Sequence, residues 1–174
     1  MSKFVSTDEG TAIMAAMEDD RKNAEKYLLH YHELLADYKA AKQEYLEGMP
    51  KQASYGRSNI PGKPTEGKAI KSVSYDEEHS DEFNWLKAVE ICERTLADRK
   101  LIFLKVRRDA ENHNSNTHGR GRRGWVVYAQ KHFTEEVQRR FLQPEAYLSE
   151  RTAHAWWDNM ISFTVEAHLR LKKY

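Results

Sequence analysis

The chain has 174 residues and a mass of 20.4 kDa, with 40% hydrophobic and 32% charged residues, which suits one domain or one small domain with a long helical extension. No apolar run approaches the ~18 residues of a membrane helix, MSKFVSTDEGTAIMAAMEDD lacks the layout of a signal peptide, and the single cysteine, Cys92, excludes an internal disulfide, so a cytoplasmic address is expected. The net charge of +1 hides segregation: Lys and Arg number six against ten Asp and Glu in 1–48, five against one in 49–72, four against eight in 73–104, seven against two in 105–131 and six against six in 132–174.

From Thr11 to Glu47 there is no proline or glycine, and Ala24, Leu28, Tyr31, Leu35, Tyr38, Lys42 and Tyr45 recur at 4-3-4-3 spacing. That spacing predicts one long amphipathic helix, packed on its own domain or on a second copy. Gly48-Met49-Pro50 ends it, and KQASYGRSNIPGKPTEGK reads as an exposed linker. Thr65 is a candidate N-cap for a short helix to about Ser74 that buries Ala69, Ile70 and Val73. A turn, SYDEEHS, then leads to Ser80 as the cap of a helix from Asp81 to about Arg108. Trp85, Val89, Cys92, Leu96, Phe103 and Val106 form its stripe, so it reads as the central core helix with Cys92 as a small buried hydrophobe.

Residues 109–124, DAENHNSNTHGRGRRG, are nearly devoid of apolar side chains and read as a mobile basic loop. Trp125 to Phe133 resumes order as helix, Pro144 ends the next helical stretch, and a final helix runs from Glu150 to about Lys172. The fold class expected is therefore all-α.

GRGRRG satisfies G-x-G-x-x-G, but no strand precedes it, so Arg120, Arg122 and Arg123 read as phosphate contacts rather than a dinucleotide loop. His30 and His32 point to different sides of a helix, and His113 and His118 lack companions at zinc-ligand spacing, so no metal site is expected. Asp76, Glu77, Glu78, Asp81 and Glu82 sit in a turn and a helix start, where carboxylates are solvated or serve the helix dipole. No catalytic set and no cofactor are expected.

Ser149 is a strong N-cap candidate for the last helix. Ala153, Trp156, Met160, Phe163 and Ala167 share one side of it, with Trp157 and Ile161 beside them. Arg151, Ala155, Asp158 and Ser162 lie opposite, flanked by His154 and Asn159. Short or polar side chains on the outward N-terminal half suit a major groove, where arginine reads guanine and alanine meets a thymine methyl. A capped terminal helix with a solvated face is the alternative.

GRSNIPGKPTEGKAI (56–70), a long helix containing WLKAVEICERTLADRK, and LSERTAHAWWDNMI near the end together resemble the ArpU/RinA-type family of bacteriophage late-gene transcriptional regulators. The resemblance spans roughly residues 20–171 in order of elements, and only the linker and Ser149–Trp156 match residue by residue. It implies a long N-terminal helix and a central core helix followed by a C-terminal helix-turn-helix similar to that of sigma-factor region 4. The first helix of that motif is either Phe133–Leu142 followed by a long turn, or a short helix beginning at Pro144.

The expected organisation is an N-terminal amphipathic helix (1–48), a linker (49–67), a central helical core (68–108), a basic flexible loop (109–124) and a helix-turn-helix DNA-binding region (125–174). Glu150, Arg151, Thr152, His154, Ala155 and Asp158 are the candidate base contacts; Arg120, Arg122, Arg123, Arg139, Arg140 and Ser149 are the candidate phosphate contacts. The function so implied is sequence-specific activation of phage or prophage late genes in a bacterial cytoplasm. The partners implied are double-stranded DNA, a second copy or larger homo-oligomer, and host RNA polymerase. A small terminase-type packaging protein, or a helical adaptor that binds proteins without DNA, are the rival readings.

Overall fold

A computed structural model describes residues 7–48, 64–116, 124–143 and 146–173, with backbone alone at 7–9, 64–68 and 114–116. The described residues form seven helices and no strand: α1 (Thr7–Leu29), α2 (Tyr31–Gly48), α3 (Pro64–Glu78), α4 (Ser80–Thr95), α5 (Asp98–Asn116), α6 (Gly124–Phe141) and α7 (Glu150–Leu171). The all-α expectation holds. Among these residues no helix is long and apolar enough to cross a membrane.

The long N-terminal helix is bent at His30. Backbone bonds from His30 N to Lys26 O and from Leu34 N to His30 O, both 3.0 Å, carry the chain across the bend. Arg108 of α5 supplies the cause: its Nε donates at 2.7 Å to the carbonyl of Leu28, which a straight helix would offer to the amide four residues on. The seam residues Ala24, Leu28, Tyr31 and Tyr38 are buried in the chain's own core, with Leu35 and Tyr45 packed against it. Of the two packings the spacing allowed, the seam serves the one within the chain. Lys42, the polar member of the seam, sits 2.7 Å from both oxygens of Asp76, which also accepts from the Tyr38 hydroxyl at 2.5 Å.

α3 departs from expectation. It runs four residues past Ser74, through what reads as a turn, and Pro64 occupies its first position, where a missing N–H costs nothing. Ala69, Ile70 and Val73 are exposed rather than buried; Tyr75 is the buried residue, edge-on to Tyr38 at 5.5 Å and stacked on His79 at 4.1 Å. His79, not Ser80, caps α4, and it does so without a side-chain bond.

The central helix is two helices. Leu96 takes an extended conformation (ψ 136°), the Thr95 hydroxyl donates to the Cys92 carbonyl at 2.8 Å, and Asp98 opens α5 at the positive end of its dipole. On the two sides of the break, Trp85, Val89 and Cys92 of α4 and Phe103 and Val106 of α5 all belong to one core. α5 then continues to Asn116, so 109–116 are helical rather than loop. Residues 117–123, the rest of the expected loop, lie outside the described residues.

α4 packs chiefly on α7, α6 chiefly on α5, and α1 crosses to α7. α6 buries Trp125, Val126, Ala129, Phe133 and Val137 at near-fourfold spacing. After Phe141 the chain turns through Leu142 at φ 52° and reaches α7 by an eight-residue connection, Leu142–Ser149. Ala146–Ser149 are not helical, so a short helix from Pro144 is excluded over those residues; Pro144 and Glu145 lie outside the described residues. The eight-residue connection between α6 and α7 is longer than the tight turn of a helix-turn-helix.

Candidate nucleic-acid interface

The start of α7 is pinned from both sides. Ser149 has the extended backbone of an N-cap (φ −73°, ψ 153°), and its Oγ accepts from Thr152 N at 3.0 Å and lies 2.7 Å from Thr152 Oγ1. Gln130 of α6 donates to the Leu148 carbonyl at 3.0 Å, and the Leu148 side chain is fully buried. Such a cap is worth ~1 kcal/mol and removes a donor that would otherwise go unmet.

Ala153, Trp157, Met160, Ile161, Thr164, Ala167 and His168 are buried on the inner face. The face is turned slightly from the expected one. Trp157 rather than Trp156 is the buried tryptophan, Trp156 packs edge-on to Phe103 and Phe133 at 5.6 and 5.8 Å, and Phe163 is partly exposed. Five of the six candidate base contacts, Glu150, Arg151, His154, Ala155 and Asp158, are exposed on the outer face. The sixth, Thr152, is half-buried and engaged with Ser149. Asp158 is already partnered: Arg21 of α1 reaches it at 3.1 Å and donates to Ser162 at 3.2 Å. The face open to a large ligand is therefore Glu150, Arg151, His154 and Ala155, the first turn and a half.

His154 also marks where this face lies. Its ring meets Trp125, the second residue of α6, edge-on at 5.3 Å. Arg120, Arg122 and Arg123 fall outside the described residues, yet in the chain they immediately precede Gly124 and Trp125, the first two residues of α6. Arg139 and Arg140 are not brought to the same place, being fourteen and fifteen residues beyond Trp125, about 20 Å along α6. Both arginines clasp Glu136, at 2.7 and 2.6 Å, and their guanidinium donors hold its carboxyl at about 2. Ser149 is spent on its own helix.

Sequence reasoning missed the residue that fixes α7 in place. Arg107 is 4% exposed, its guanidinium lying 4.6 Å from the ring centre of Trp125 and 4.9 Å from that of Trp157. Glu111 pairs with it at 2.9 Å and Glu25 stands 3.8 Å away, while Trp157 Nε1 donates to Glu25 at 3.2 Å. One cation thus ties α1, α5, α6 and α7 together. Its signal was present: Phe103, Val106, Arg107 and Ala110 recur at helical spacing, placing a charge on an apolar stripe. His168, stacked on Trp85 at 3.6 Å and fully buried, is the second polar residue on an apolar stripe.

A cavity of about 430 Å³ lies at the α1–α2 bend, lined in part by His30, His32, Glu93, Lys105 and Arg108. Glu93 and Arg108 neutralise each other there at 2.7 Å. Among the described residues no cluster of His, Cys, Asp or Glu could hold a metal ion. No protein-family model matches the chain, and no curated protein or solved structure matches it.

Proposed function

We propose that the protein is a sequence-specific DNA-binding activator of transcription, acting in a bacterial cytoplasm on phage or prophage late genes, with the first turns of α7 entering the major groove. The observation that carries this reading is the capped, outward N-terminal half of α7, whose His154 packs on the residue next to the start of α6, hard by the arginine-rich 119–123 stretch in sequence. Arg151, exposed and without an acidic partner within ion-pair distance among the described residues, contacts a guanine edge, and Ala155 faces a thymine methyl. Arg120, Arg122 and Arg123 neutralise phosphates and set affinity rather than sequence preference. The late-gene role is supported by the resemblance in the 56–70 linker and in Ser149–Trp156.

The test is selection of bound duplexes from a random DNA pool at ~0.15 M salt, where non-specific phosphate binding is suppressed. An enriched motif is expected, and Arg151→Ala relaxes it at one position at a cost of ~1–3 kcal/mol. Equal weakening on all sequences would reduce Arg151 to a phosphate contact. Bound DNA without enrichment would favour packaging. No salt-sensitive binding would favour an adaptor, a reading that gains from Glu150 standing on the exposed face and from the engagement of Asp158 by Arg21.

A further inference from the structure

α2 and α4 face each other across a groove of about 310 Å³. Its apolar lining comes from Tyr31, Leu35 and Tyr38 of α2 and from Phe83 and Leu86 of α4, each set at helical spacing along one face. Tyr31, Tyr38 and Leu86 are buried, and Leu35 and Phe83 pack against the core. The fold therefore holds three rings and two aliphatic side chains in place before any ligand arrives. Lys39, Lys42, Lys87 and Glu90 supply the charged lining, with Lys39 and Lys87 exposed.

The charged lining carries a surplus cation. Lys42 is spent on Asp76, lying 2.7 Å from both of its oxygens, while Lys87 and Arg94 share Glu90 at 2.8 and 2.5 Å. Lys39 has no carboxylate within ion-pair distance among the described residues. It nevertheless acts at the same groove. The Glu90 carboxyl is held below its ordinary value first by the Lys87 hydrogen bond and then by the charges of Lys87, Arg94 and Lys39, against its burial. Beyond the lining, Glu93 is matched by Arg108 at 2.7 Å, and the charge of Glu82 reaches Tyr38. With all of these included, five cations stand against four carboxylates, and Lys39 is the ammonium left over.

These features select a class of ligand. A groove of this volume suits a small molecule. Inorganic phosphate would leave the rings uncovered, and a nucleotide would bring several negative charges to a single free ammonium. A neutral apolar body would leave that ammonium unused. The ligand that uses both parts is a monoanion with a compact apolar body, which gains from covering ring and aliphatic carbon and from a charge-assisted hydrogen bond at the edge.

We propose that the α2–α4 groove binds a small monocarboxylic acid with an aromatic or branched aliphatic body, its carboxylate accepting from Lys39 and its body lying against Tyr31, Leu35, Tyr38 and Phe83. Lys87, whose ammonium stands 5.7 Å from the centre of the Phe83 ring, is the second donor in reach, because Glu90 keeps Arg94 when Lys87 turns to the ligand. The bound acid touches both helices, so it fastens α2 to α4 and stabilises the folded chain as its concentration rises above Kd. The inference does not depend on DNA binding.

Amide chemical shifts of the full chain, titrated with 3-phenylpropionate, test it. An acid of ~11 non-hydrogen atoms is expected to saturate with a Kd on the order of 1 mM, moving amides in 31–42 and 83–90 first. Two further probes read the two halves of the site. 3-Phenylpropionamide keeps the body without the charge, propionate keeps the charge without the ring, and each should bind about fivefold more weakly or worse. Lys39→Gln should weaken 3-phenylpropionate about fivefold and leave the amide unchanged, whereas Lys131→Gln, on α6 and outside the lining, should alter neither. Lys39 is exposed, so thermal unfolding of Lys39→Gln should match the parent, which separates a lost site from a lost fold. Failure to saturate, equal binding of acid and amide, shifts centred elsewhere, or a Lys39→Gln variant that binds the acid like the parent would each overturn the proposal.

Discussion

At the scale of single residues, the interior holds one imidazole whose protonation opposes folding. Burial, then the nearby Lys172 ammonium, push the His168 pKa below its ordinary value, against weaker pulls from Asp81 and Asp20. A depressed histidine binds its proton more tightly when unfolded, so its contribution is complete above about pH 6.5 and is lost as pH falls toward the folded pKa. His168→Phe keeps a ring against Trp85 and cannot be protonated. Its urea midpoint is therefore expected to change less than the parent's on going from pH 7 to pH 5, and an identical slope would remove His168 from the acid response. Leu142 is a residue of the opposite kind, 86% exposed and held at φ 52° just past the end of α6, where glycine is at ease. Leu142→Gly should raise stability by ~0.5 kcal/mol, the relieved strain exceeding the added chain freedom, as read from denaturant midpoints. Neither residue announces itself in the sequence: periodicity puts His168 on the inner stripe but says nothing of the ring it meets, and no local pattern forces Leu142 left-handed.

At the scale of elements, the helices were legible and their breaks were not. The apolar stripes of α6 and α7, and the Ser149 cap, follow from spacing and local chemistry, so the outward face of α7 could be read residue by residue. The α4–α5 break could not, because Leu96 keeps the hydrophobic phase running through it and only the packing of α5 back on the core exposes it. The bend at His30 depends on Arg108, a residue 76 to 80 positions away in the chain. α3 misled for another reason: its pattern was sound for burial, but nothing within the described chain buries it. The element most exposed to a single change is α7, through Arg107. Arg107→Ala removes the buried cation between Trp125 and Trp157 together with its ion pair to Glu111, so a loss of ~3–5 kcal/mol is expected in equilibrium unfolding. Arg151→Ala, on the outer face of the same helix, should leave stability within ~0.5 kcal/mol, so the two arginines separate holding α7 from using it.

At the scale of the whole molecule, the two ends of α7 have different surroundings. Its start presents Arg151, His154 and Ala155 to solvent near the residues that follow the arginine-rich stretch; its finish packs on α4, with His168 stacked on Trp85 and Lys172 paired with Asp81. The joining of α1 to α7 has a further consequence, for the order in which the protein is made. Trp157 and Glu25 are 132 residues apart, and Asp158 and Arg21 are 137 apart, so the core cannot close until α7 has left the ribosome. Until then the inner faces of α1 and α4, with Ala24, Leu28, Val89 and Cys92, wait uncovered for a helix not yet translated. A nascent chain stalled before Ser149 would display that unfinished core, a natural target for a chaperone and a liability to aggregate.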